Sequence, residues 1–348
     1  MIELNNDTLN FSFPKVHPNA RFALDFQRTL RIPDDGSDYP LPPGLGRFPM
    51  KHVDDYGQTV PPLWIEHGGV MLPMYQSEAL WLSFNSDYIS ARDTAYPFAI
   101  KVATGKINAV TGDDWTDWLQ RKPQDYMVSS EQPWLDGYSV EKGFIRQFIA
   151  MPLGSGYSAE EQITGEAEHG GIQVVIYPMK REVFEKRFPK RKLDRLREEQ
   201  IGMDALYSLA APAPMESCEM GLAPGGRMRQ EIYEDPFDLN DWDMENKSRC
   251  FVHIANSLIW RAITSEMPPT VPFTAKEYAQ YHLPWFDYYS DQSTAVKGSE
   301  KLNGLKSVIQ MGKKKGDVPL PENESLTPEY IIKLRGGLTK DQVREGRF

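Results

Sequence analysis

Short apolar runs set the first limit on this chain. Arg21–Phe26, Val70–Tyr75, Ala79–Phe84, Phe98–Val102, Phe144–Met151, Ile172–Tyr177 and Cys250–Ile254 are five to eight residues long and lack helical spacing. Glycine, proline and acidic turn residues bound them, which is the signature of strands. Thr29–Ile32, Lys106–Val110 and Arg227–Tyr233 continue the pattern, and Thr104-Gly105 reads as a tight hairpin turn. The expected fold is α+β, mainly antiparallel β, with a sandwich-like or barrel-like body.

Helices are expected as additions near 180–205 and in the C-terminal quarter. Ser158-Ala-Glu-Glu161 and Thr274-Ala-Lys-Glu277 have the capping-box order, in which a hydroxyl takes the N3 amide and a glutamate reaches back. Lys180–Gln200 is charged and helix-prone, divided at Pro189, with Leu193, Leu196 and Ile201 as its stripe and Gly202 as its cap. Ser299–Met311 has Leu302, Leu305, Val308 and Ile309 at helical spacing, weakened at Gly304. Gly312–Pro321 reads as a mobile linker, and Thr327-Pro328 predicts a helix over Glu329–Leu334. This organisation implies one large β-rich domain over 1–311, with a helical insertion at 180–205, and a linker and short helical tail over 312–348.

Bulk properties exclude several function classes. No apolar run approaches the roughly 18 residues that span a bilayer, so no membrane partner is expected. The first residues have no basic start ahead of an apolar stretch, so no secretory leader is expected. Cys218 and Cys250 are the only cysteines, too few for a disulfide framework, and a cytoplasmic location follows as the expectation. The formal net charge of −10 argues against broad nucleic-acid binding, which needs a basic face.

One tetrapeptide occurs twice. Glu66-His67-Gly68-Gly69 and Glu168-His169-Gly170-Gly171 each lead into an apolar strand, with Tyr75 and Tyr177 at the same offset. Gly225-Gly226 stands ahead of a third strand candidate without the Glu-His pair. Two histidines and two glutamates could bind a divalent transition metal if folding joins the copies. Adjacent strand residues point to opposite faces, however, so Glu66 and His67 could both ligate only from a turn or bulge. The competing reading is turn chemistry alone, with Gly-Gly bending the chain and Glu-His capping it.

Other segments offer weaker signals. Asp238, Asp241, Asp243 and Glu245 crowd Glu231–Glu245, but the EF-hand order fails at Asn246 and Val252. Lys180–Arg197 is basic, and its complementarity to the acidic segment suggests head-to-tail self-association. Trp134, Asp136 and Tyr138, with Trp285 and Asp287, form two Pro-Trp clusters suited to sugar stacking or a protein-interface hot spot, or else to pinning a loop onto the core. No nucleophile elbow, phosphate loop or dinucleotide fingerprint is present. The expected function is therefore a non-enzymatic binding or assembly protein with a protein partner or self-association. The alternative is a metal-dependent hydrolase or oxygenase built on Glu66, His67, Glu168 and His169, with no catalytic residue otherwise assigned.

Overall fold

The computed structural model describes residues 1–190, 219–289, 293–317 and 325–335. Its principal strands begin with β1 (Ile2–Asn5), β2 (Thr8–Ser12), β3 (Arg21–Thr29), β4 (Val70–Met74), β5 (Ala79–Ser86), β6 (Phe98–Thr104) and β7 (Ile107–Asn108). They continue with β8 (Phe144–Pro152), β9 (Ile172–Pro178), β10 (Met220–Arg229), β11 (Ser248–Asn256), β12 (Trp285–Tyr289) and β13 (Ile331–Arg335). The helices are short: α1 (Pro62–His67), α2 (Ala159–Thr164), α3 (Arg181–Arg187), α4 (Ser257–Thr264), α5 (Ala275–Gln280), α6 (Glu300–Asn303) and α7 (Val308–Lys315). The expected α+β class with mainly antiparallel β structure is what the chain forms.

Two sheets carry the body. One runs β1-β2-β3-β5-β8-β10, and the other runs β7-β6-β9-β11-β4. Both line one core that includes Leu24, Phe26 and Leu82 from the first sheet and Val102, Ile176 and Val252 from the second. Rings cross the interface, with the centroids of Phe22 and Phe98 5.3 Å apart. A buried Tyr138 hydroxyl ties the layers further, donating to Leu222 O and sharing a 2.6 Å bond with Thr104 Oγ1. Within the second sheet, β4 is parallel to β11 while β9 is antiparallel to it, so β4 and β9 flank the same strand and run in opposite directions.

Both faces of the second sheet are covered, which explains why every residue of β6 and β9 is buried. Over one end of its outer face lies the loop following β7. Lys101 projects into that loop and spends its three ammonium protons on Thr116 Oγ1, Trp118 O and Asp125 Oδ2. Over the other end lie α1 and α4, where Trp64, Met71, Ala255 and Trp260 share a small cluster.

Local signals held where the chain decides structure locally. The hairpin between β6 and β7 turns at Gly105 and Lys106, both at positive φ, as its right-handed twist requires. Both capping boxes form, at Ser158/Glu161 and Thr274/Glu277. Arg21–Ile32, by contrast, holds a single strand, β3, rather than two.

Three other readings need correction. Gly225-Gly226 lies inside β10 instead of opening it, and glycine is needed there because Cβ atoms would stand 2.5 Å from Ile149 Cγ1 and 2.3 Å from Pro33 O. The segment beginning at Gly312 is not a linker at its start: α7 continues through Lys315, since Val308 and Met311 are buried, and Gly316 ends it. Residues after Pro328 form strand β13 rather than a helix, paired in parallel with β12. The Ser299–Met311 stretch divides into α6 and the first half of α7. Leu193, Leu196, Ile201, Gly202 and Cys218 lie outside the described residues. Among those described, no helix is long and apolar enough to cross a membrane.

Candidate functional site

The two Glu-His-Gly-Gly copies converge on the middle of β11. In the first, Glu66 and His67 end α1, and Gly68 N–H donates to Trp64 O at 2.8 Å. Gly69 then enters β4 with φ of 87°, so close to β11 that a Cβ would lie 2.1 Å from Phe251 O. In the second, the tetrapeptide is a loop between α2 and β9. The buried Glu160 carboxylate accepts from Glu168 N, His169 N and Gly170 N at 2.8–2.9 Å. Gly171 enters β9 beside the same strand, where a Cβ would lie 2.6 Å from Val252 O. The turns therefore need glycine because β11 passes through the space a side chain would fill.

Alternation on β11 puts Arg249, Phe251, His253 and Ala255 on its outer face. Arg249 reaches Asp117 of the loop cover, and Ala255 belongs to the helical cover. Phe251 and His253 lie between the two covers; His67 packs on them from the β4 side, and His169 approaches His67 from the β9 side. The His67 ring stacks on Phe251 at 4.5 Å and stands 6.4 Å from the His169 ring, centroid to centroid. His253 stacks on Phe251 at 4.3 Å and on Trp64 at 4.6 Å.

Electrostatics distinguish these rings. Burial drives the His253 pKa down to about 3, so the ring is neutral, and its Nε2 lies 3.1 Å from Gly68 O. Facing a carbonyl, that nitrogen carries the proton. His67 is also lowered, by burial first and then by Lys106 and His169. Its Nδ1 is buried and has no hydrogen-bond partner among the described residues. His169 is a quarter exposed, and its Nε2 stands 3.5 Å from Oε2 of the exposed Glu168. Glu66 is exposed. Beside His169 opens a cleft of about 300 Å³, walled by Lys106, Asp114, Trp115, Glu160 and Glu166. Among the described residues, no three His, Cys, Asp or Glu side chains are already placed around a metal position.

The aromatic clusters lie elsewhere. Asp136 and Tyr138 are buried, and the Asp136 carboxylate accepts from Gln230 Nε2 at 2.6 Å and from the Trp134 indole. Burial nevertheless pushes its pKa up to about 7. Trp285 is buried, and Asp287 pairs with Arg229 at 3.5 Å. The two clusters touch through Trp134 and Tyr288, with Trp81 completing the group. Their rings are inclined at 57–65°, an edge-to-face packing that pins β12 to the first sheet rather than a flat platform.

The basic and acidic segments meet within one chain. Arg187 on α3 pairs with Asp241 at 2.7 Å and with Asp238 at 3.7 Å. Asp235 is buried and accepts from the Tyr126 hydroxyl and the Trp242 indole. Arg187 thus joins the described parts of the two segments within one chain.

Sequence reasoning missed Glu160, Phe251 and His253. Phe251 and His253 share a face by simple alternation, but their neighbours come from strands remote in sequence. Glu160 carried a signal only as part of a capping box. Compared with family models, with curated proteins and with solved structures, this chain matches none.

Proposed function

We propose that this chain is a non-enzymatic binding protein that adds an extended segment of another protein to the free edge of β13. The observation that carries this reading is the state of that strand. It pairs with β12 on one side, and no described strand pairs its other side. Its side chains Ile331 and Leu334 are exposed, as is Tyr330 just before it. Of the twelve exposed large apolar residues among those described, seven fall between Val271 and Leu334. Exposed apolar side chains on and next to a strand edge that no described strand pairs suit strand addition, in which backbone bonds give affinity and side-chain pockets give specificity.

Charge favours a foreign segment over a second copy. Antiparallel pairing of β13 with itself about its midpoint would set Lys333 opposite Lys333, an unfavourable cross-strand pair. An apolar segment with an acidic residue at that position meets no such penalty.

The test is to pan a library of short random peptides on the full chain and on its Ile331→Lys/Leu334→Lys variant. Enrichment of extended apolar sequences carrying an acid, lost on the variant, supports the reading. No enrichment, equal capture by the variant, or dimerisation abolished by the same substitutions overturns it. The metal-dependent hydrolase or oxygenase reading gains one observation, the approach of His67 to His169. It lacks a third donor in place among the described residues.

A further inference from the structure

We infer that His67 and His169 bind one divalent transition-metal ion, of the zinc, nickel or copper class, which clips the two Glu-His-Gly-Gly turns together across β11. The inference stands apart from strand addition at β13 and requires no catalysis.

Three observations carry it. The imidazoles reach one place from opposite edges of β11, although 101 residues separate them in sequence. A buried His67 nitrogen has no partner among the described residues, and a buried polar atom left in that state calls for a water or an ion. Glu168 supplies an exposed carboxylate beside His169, its side chain 61% exposed and within 3.5 Å of the ring. Two imidazoles with a carboxylate suit borderline transition metals rather than calcium or magnesium, which prefer oxygen alone.

Distance sets the cost. With metal–nitrogen bonds of about 2 Å, two imidazoles on a tetrahedral ion have ring centroids about 5 Å apart. The observed 6.4 Å requires an approach of about 1 Å, which rotation of the quarter-exposed His169 can supply. His67 is held against Phe251 and stays in place. His253 is not a ligand, because its Nε2 is committed to Gly68 O and its ring is sandwiched between Trp64 and Phe251.

The experiment uses the untagged full chain stripped with chelator and titrated with Zn²⁺ and Ni²⁺ by calorimetry, with melting temperature followed in parallel. Binding of one ion per chain is expected, with a melting temperature that rises with metal concentration. His169→Ala, at an exposed ring, should fold and weaken binding about tenfold or more. His67→Gln should do the same, while His282→Ala, at an exposed histidine remote from the site, should leave binding unchanged. Failure of the parent to bind, or binding undiminished by His169→Ala, overturns the inference. Neither result bears on the peptide panning.

Discussion

The same four residues are held in two different ways. The first Glu-His-Gly-Gly copy finishes a helix and is tied to β11 by an imidazole, His253 Nε2 to Gly68 O. The second is a loop whose amides converge on a carboxylate, Glu160. Only the final glycine of each copy does the same job, entering a strand against β11. The tetrapeptide thus encodes a close approach between strands, and the structure before it is free to vary.

This contrast can be broken from the second turn. Glu160→Ala removes three charge-assisted bonds and should cost about 4 kcal/mol, read as a lowered urea midpoint. Glu160→Gln should recover part of that loss. A loss of less than about 1 kcal/mol for Glu160→Ala would mean the turn is held by its glycines alone.

Glycine substitutions compare the copies directly. Gly69→Ala should cost about 3 kcal/mol, because it combines positive φ with a clash against fixed backbone, and Gly171→Ala somewhat less. Gly68→Ala meets no atom within 4 Å, but its φ of 64° with ψ of −156° is backbone essentially confined to glycine, so strain alone should cost about 2 kcal/mol. Equal costs at Gly68 and Gly69 would remove the close approach as the explanation.

The imidazole clamp should also carry a pH signature. His253 has a folded pKa near 3 against 6.5 in the unfolded chain, so falling pH protonates the unfolded state first. Its contribution is complete above 6.5 and is lost as pH falls towards 3. Asp136 acts with the opposite sign: raised from 3.8 to about 7, it contributes most below 3.8 and loses that contribution as pH rises. In chemical unfolding between about pH 4 and 6.5, His253→Phe and Asp136→Asn should tilt the stability profile in opposite directions. Each tilt should approach 1.4 kcal/mol per pH unit. Parallel profiles would show that neither group is held as described.

The smallest effect is expected away from both turns. Ile331→Lys/Leu334→Lys should change unfolding free energy by less than about 0.5 kcal/mol while abolishing peptide capture. A large loss of stability would make that edge part of the folded body instead of a docking surface.

How much of this was legible in the sequence depended on the range of the interactions. The strands, the β6–β7 hairpin and both capping boxes follow from residues a few positions apart. The helix expected after Pro328 failed because Ile331 and Ile332 form a ladder with Trp285 and Phe286, a remote pairing that overrode a local start signal. The linker reading failed similarly, where burial of Met311 carries a helix through a lysine run. That His67 and His169 meet depends on β11 lying between β4 and β9, and nothing local to either copy specifies it. The repeat singled out two histidines that the fold brings within 6.4 Å of each other, but their geometry came from a strand about eighty residues beyond the second copy.

The burial of Lys101 has a consequence for covalent labelling. An ammonium whose three hydrogens are all engaged cannot present a free amine to an acylating reagent while the loop over it stays closed. Lys101 should therefore be among the slowest lysines to acquire an acetyl group under native conditions. The rate at which it does so measures how often the cover opens, independently of global unfolding.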